Sequence, residues 1–133
     1  MANPVITNVD VGQIAIEVSD FEHHVITFAG ADVLAAGTIL ARHSTTGKFI
    51  IFVKGGATNE NGIPRGVLTY DVTATGAGDV VADVLVRGTV NRDRLIIDAD
   101  GDGSNVDNSV IDDLLQNGVL AKPVKQLSQL DNQ

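Results

Sequence analysis

The densest run of chemistry-capable side chains in this 133-residue chain is Asp98-Ala99-Asp100-Gly101-Asp102-Gly103-Ser104, three carboxylates at alternate positions with glycine between them. An EF-hand loop carries acids at its positions 1, 3 and 5 and Gly at 6, because alternate oxygens converge on calcium as the backbone wraps and glycine permits the sharp turn. The pattern then departs from that loop. Asn105 stands at position 8, where an apolar residue belongs, and Ser109 at position 12, where a bidentate Glu closes the shell. Two readings compete: a calcium-dependent binding module using Asp98, Asp100 and Asp102, or an acidic, Gly-containing turn that caps a helix. The missing ligands, and the lack of a helical pattern before the loop, favour the turn, with no metal.

The other chemical patterns are weaker. Gly47-Lys48 has Arg42 where a P-loop needs Gly and Phe49 where it needs Ser or Thr; Gly76-Ala77-Gly78 is followed by Val81 where a third Gly would stand. His23 and His24 point to opposite faces of a strand and do not easily share a ligand, and His43 is remote from both in sequence. Ser44 lies beside His43 without any G-x-S-x-G elbow around it. This inventory argues against an enzyme and against a cofactor.

Composition narrows the classes further. A chain of this length buries roughly two-thirds of its unfolded surface, enough for one domain with a core. Hydrophobic residues make up 44% of it, yet the only aromatics are Phe21, Phe28, Phe49, Phe52 and Tyr70, so the core is expected from Val, Ile, Leu and Ala, with strands favoured. No apolar run approaches the roughly 18 residues of a membrane span, and Met1-Ala2-Asn3-Pro4 lacks the flank of a signal peptide. The expectation is a soluble protein made in a reducing cytoplasm, since there is no Cys for a disulfide framework. The net charge of −8 is uneven: residues 1–41 hold five acids and no Lys or Arg, residues 42–94 sum to +2, and residues 95–133 sum to −5. Arg87, Arg92 and Arg94 form the only basic cluster and read as solvated strand-end charges, so neither nucleic acid nor membrane is an expected partner.

Short β segments must position these residues. Residues 5–18 alternate imperfectly between apolar and polar, and residues 1–12, with Pro4 and Gly12, read as an extended arm or as an edge strand. Val25–Phe28, Val33–Ala36 and Thr38–Ala41 are apolar runs of the kind found in strands buried on both sides. Ser44-Thr45-Thr46-Gly47 predicts a hairpin between 38–43 and 48–53, with positive φ at Gly47. A loop over 55–62, a strand over 67–72, a turn over 73–79 and a long strand over 80–90 follow. If that strand is regular, Asp83 and Arg87 share one of its faces, either paired or facing water. One helix is predicted near 106–117, capped by Ser104 or Asn105 and stopped at Asn117-Gly118. The polar tail over 122–133 completes the chain. The expected fold is therefore mainly β with one helix, an α+β domain over 13–121, with an N-terminal arm over 1–12.

The order Thr38-Ile39-Leu40-Ala41, a short turn, Gly47-Lys48-Phe49-Ile50, the Gly-rich loop 55–62, Gly66-Val67-Leu68 and Gly88-Thr89-Val90-Asn91-Arg92-Asp93-Arg94-Leu95 resembles the head decoration proteins of tailed bacteriophages, the lambda head protein D type. The resemblance spans about residues 35–120 and is one of order and spacing; residues 13–34 and the acidic loop 98–107 depart from it. It implies a small β-rich domain, barrel-like or tulip-like, that forms a homotrimer on the outer surface of the virion and cements neighbouring subunits of the major capsid protein after expansion. On this resemblance the arm is the candidate capsid-binding element, through Pro4, Val5, Ile6, Val9 and Val11.

Overall fold

Period-2 alternation of branched aliphatic residues, broken by glycine and proline, divides the chain into short strands. The computed structural model describes residues 14–123, the side chains of 15–19 excepted. Its strands are β1 (Ala15–Phe28), β2 (Asp32–Leu34), β3 (Ile39–Arg42), β4 (Phe49–Ile51), β5 (Pro64–Leu68), β6 (Val72–Ala74), β7 (Gly78–Asn91) and β8 (Val119–Lys122). One helix, α1 (Asn108–Gln116), and a single 3₁₀ turn at Arg92–Arg94 complete the described elements. The larger sheet runs β1-β4-β3-β5-β7-β8, and an additional β1–β7 pairing closes β1, β4, β3, β5 and β7 into a barrel-like wall, with β8 appended to β7. β2 and β6 form a separate antiparallel ribbon. The mainly β architecture with one helix agrees with the expectation from sequence.

The central strands are apolar on both faces because each face has its own core. Leu40, Phe49, Leu68 and Val84 point into the barrel-like interior with Ile26, Phe28 and Ala82, joined by Leu34 and Ala74 of the ribbon. Their sequence neighbours Ile39, Ala41, Val67 and Leu85 point the other way, into a second layer with Phe52, Leu95, Ile97, Val110, Leu114 and Val119. Each such side chain contributes about 1.5–3 kcal/mol when fully removed from water. Both layers exist only because the strands between them carry apolar residues at consecutive positions.

Two glycines of the family-like pattern have physical reasons. A Cβ on Gly66 would sit 2.7 Å from Val84 Cγ1 and 3.1 Å from Phe49 Cε1, so the interior closes only over a bare backbone there. Gly88 adopts φ 128, where L side chains are strained. Around it the alternation of β7 changes phase: Val80, Ala82 and Val84 face the interior, whereas Leu85 and Val90 both join the helix-side layer. The pairing of β1 with β7 is irregular on the same stretch, between the Ile16↔Thr89 and Phe21↔Leu85 pairs. Val84 and Leu85 reach the two cores by ordinary alternation, and the register shift turns Val90 to the same layer as Leu85.

The hairpin predicted over 38–53 is present, with Leu40 opposite Ile51 and Arg42 opposite Phe49. Gly47 takes φ 73, and the Thr45 and Thr46 amides donate to His43 Nδ1 at 3.1 and 3.2 Å, which fixes the turn. Other boundaries shift. The strand expected over 67–72 lies at Pro64–Leu68, since Pro64 sits at its first position, where no ladder N–H is needed. The turn expected over 73–79 shrinks, because Val72–Ala74 pairs with Asp32–Leu34. That ribbon exposes Val33 while burying Leu34, correcting the doubly buried reading of 33–36. The helix begins at Asn108 and not 106: Asp107, rather than Ser104 or Asn105, is the cap, its Oδ1 accepting from the Val110 amide at 3.1 Å. Asn117 and Gly118 end it as expected, Gly118 at φ 97.

Candidate functional site

The acidic loop is organised as a turn in which each carboxylate answers a different group. Asp102 Oδ1 accepts from the Ser104 amide at 2.9 Å, and hydrogen bonds from Ser104 hold its carboxyl below the ordinary range. Asp100 Oδ2 accepts from Asn105 Nδ2 at 2.9 Å. Asp98 is partly desolvated and faces Asp32 of β2, and both effects, burial first, push its carboxyl up. Ile97 and Asp102 form an antiparallel bridge, and the Gly101 amide donates to the Ile97 carbonyl at 3.0 Å, so the segment folds on itself. Among the described residues no three acids or histidines form a group that could hold a metal ion. The chemistry of the loop is directed at helix entry. Lys54 Nζ donates to Asp107 Oδ2 at 2.6 Å and to the Asn105 carbonyl at 3.2 Å, anchoring the helix cap to the segment after β4.

The basic cluster disperses in the same way. Arg87 pairs with Asp20 across β1 at 2.9 Å, and Arg92 donates to Asn108 Oδ1 at 3.2 Å. Asp83 is met by His23 Nε2 at 2.7 Å, and the register shift between Leu85 and Arg87 removes the regular alternation that would have set Asp83 and Arg87 on one face. Both residues of that pair thus find partners on the neighbouring strand and not in each other. His24 points away from His23, its ring 4.9 Å from that of Phe49 and its Nε2 2.6 Å from Glu22 Oε1. The arm residues Pro4, Val5, Ile6, Val9 and Val11 lie outside the described residues.

What the tertiary structure assembles instead is a groove of about 1010 Å³. Ile14, the first described residue, lines it, together with Phe21 of β1, Asp83 of β7, Ala35 and Ala36 after β2, and Thr69-Tyr70-Asp71 between β5 and β6. Asp93 to Ile96 and Gly101-Asp102-Gly103 close the remaining wall. The groove thus lies where the barrel-like wall, the ribbon and the acidic loop meet. Of the five aromatics, Phe28, Phe49 and Phe52 are buried in the cores, whereas Phe21 (52% exposed) and Tyr70 (68%) stand on this groove. The other exposed large hydrophobics of the described residues, among them Val33, Val81 and Leu115, lie off the groove, so it is the two aromatics that set this place apart. Sequence reasoning registered Phe21 and Tyr70 only as aromatics, because 49 positions separate them and nothing local brings them together.

Among the described residues, the acids that line this groove form no group of three that could hold a metal ion. The fold order, with its hairpin, its Gly66-Val67-Leu68 strand and its Gly88-Thr89 shift, follows the decoration-protein pattern. No curated protein sequence matches the chain. The family model described as Bacteriophage lambda head decoration protein D matches residues 8–119, most of the chain. The chain belongs to the family of the bacteriophage lambda head decoration protein D.

Proposed function

We propose that this protein acts as a homotrimer that bridges subunits of the major capsid protein, with residues 1–12 as the attachment arm. Membership of the family makes it a non-catalytic, structural protein of the virion's outer head surface, one that decorates and stabilises the assembled head. The observation that carries the function is that family match over residues 8–119. The physical logic supports the finer reading. A shell fails where its subunits separate, and a multivalent bridge must be released at several points before that happens. Protein that binds only the assembled state stabilises it by mass action.

Within this reading the arm spans 1–12, the β-rich domain 13–121 and the tail 122–133. Pro4, Val5, Ile6, Val9 and Val11 supply the arm's apolar contacts, and an extended arm adds main-chain hydrogen bonds to an exposed capsid strand whatever its side chains.

The test is to mix the protein with expanded, undecorated heads. Saturable binding in multiples of three chains, with heads that resist higher temperature, is the expected result, and absence of binding would overturn the proposal. Native mass measurement of the free protein checks the trimer separately. Deleting residues 1–12 is expected to weaken attachment while leaving the oligomer unchanged; undiminished affinity would remove the arm from the binding surface.

A further inference from the structure

The groove combines three properties that together constrain its occupant. First, it holds both exposed aromatics of the chain over small apolar residues, Ala35 and Ala36. Aromatic side chains in concave contact sites dominate binding energy, since they remove much apolar area from water for few frozen torsions. Second, its charged lining is one-sided: Asp71, Asp83, Asp93 and Asp102 against Arg94 alone. Clefts lined by one sign of charge focus the field and raise the local concentration of opposite charge.

Third, most of these acids are held in place by their own neighbours. Asp71 Oδ1 accepts from the Ala36 amide at 2.8 Å, Asp83 meets His23 at 2.7 Å and Asp102 accepts from Ser104 at 2.9 Å. The rim is therefore preorganised, and little ordering is left to oppose binding.

The terminal segments do not supply the complementary charge. Residues 1–41 contain no Lys or Arg, and residues 124–133 contain a single Lys balanced by Asp131. Neither terminal segment, of this copy or of another, answers the acidic rim.

We propose that the groove between Phe21 and Tyr70 seats an extended, apolar segment of the major capsid protein bearing Lys or Arg side chains. This rests on the capsid-binding reading above and adds a second contact, separate from the arm. The apolar groups of the segment cover Phe21 and Tyr70, and its cations meet Asp71 and Asp93.

The test measures binding of the full-length protein to expanded, undecorated heads at about 50 and about 300 mM NaCl, spanning the range over which exposed charge pairs become screened. Two variants are compared with wild type: Tyr70→Ala, and the double change Asp71→Asn with Asp93→Asn, in which the amide side chain at position 71 keeps an oxygen for the Ala36 amide. Melting curves and native mass accompany each. Tyr70→Ala is expected to weaken head binding about tenfold or more at both salts. The double variant is expected to bind several-fold more weakly at low salt only, flattening the salt dependence.

Wild-type affinity in both variants would overturn the groove as a capsid contact while the capsid reading stands. An unchanged salt dependence in the double variant would overturn the basic character of the segment. Loss of the oligomer in Tyr70→Ala would assign the groove to a second copy instead. A fall in melting temperature with head binding and oligomer intact would assign it to a terminal segment of this chain. Failure of wild type to bind heads would overturn this inference together with the reading beneath it.

Discussion

The barrel-like interior and the helix-side layer share the strands β3, β5 and β7, yet they are built by different rules. The interior is enclosed by backbone: Leu40, Phe49, Leu68 and Val84 are walled in by paired strands, and the packing is tight enough that Gly66 leaves no room for a Cβ. The outer layer is closed by a nine-residue helix, a 3₁₀ turn and the acidic loop, and holds Leu95, Ile97, Val110 and Leu114 beneath them. Strand pairing is cooperative across the sheet, whereas a short helix has little stability of its own and depends on its cap and its buried stripe. The difference teaches that Asp100, Asp102 and Asp107 serve architecture. They secure the less constrained of the two layers, which is why they are engaged by local donors.

Leu40→Ala and Leu114→Ala test that contrast most strongly, since both side chains are fully buried. Such truncations cost about 2–5 kcal/mol, the value depending on how far the site can collapse. Leu40, inside the strand wall, is expected near the upper end and Leu114, under a short helix, near the lower; equal losses in chemical denaturation would break the comparison. Gly66→Ala comes next, with an overpacking cost of about 1–3 kcal/mol. Its loss in the same assay should exceed that of an alanine placed at Gly76, which has open space around it.

Smaller effects sharpen the outer layer. Asp107→Ala removes the helix cap and the Lys54 contact, and a modest drop in melting temperature is expected at neutral pH. The Lys54 and Val110 hydrogen bonds hold the Asp107 carboxyl below its ordinary value. Its contribution is therefore fully present above the unfolded carboxylate range and fades as pH falls through the folded value, so the gap between wild type and variant should close on acidification. Asp98 behaves oppositely. Burial and the facing Asp32 raise its pKa, so the folded state favours the protonated form and ionisation at neutral pH costs stability. Asp98→Asn is expected to raise the melting temperature slightly at pH 7, with the gain vanishing at acid pH where the wild-type carboxyl is already neutral. A destabilised variant at pH 7 would mean that the Asp98 charge has a use that its surroundings do not reveal.

Local rules carried the parts of the fold whose causes are local. The turn 44–47 follows from Gly47 and the short polar run before it, and the helix stop follows from Asn117-Gly118. The helix starts two residues later than its apolar spacing predicts because Asp107 takes the cap in place of Ser104 or Asn105, held there by Lys54 from a distant segment. The strand at Pro64–Leu68 was misplaced because apolar alternation continues past Leu68, whereas Asp71 turns the chain by accepting from the Ala36 amide across the ribbon. Asp83 and Arg87 share a face only in a regular strand, and neither the register shift between them nor their partners His23 and Asp20 on a distant strand can be read locally.

The sequence by itself determined the β-rich class, the single helix, the absence of a recognisable catalytic motif and the decoration-family pattern, since these rest on periodicity, turn chemistry and spacing along the chain. Only the tertiary structure decided that consecutive apolar residues serve two separate cores, that a register shift turns Val90 to the same layer as Leu85, and that Phe21, Tyr70 and four distant aspartates share one groove. The physical reason is that a strand's pattern records how its faces alternate, whereas which distant surfaces meet is set by sheet closure.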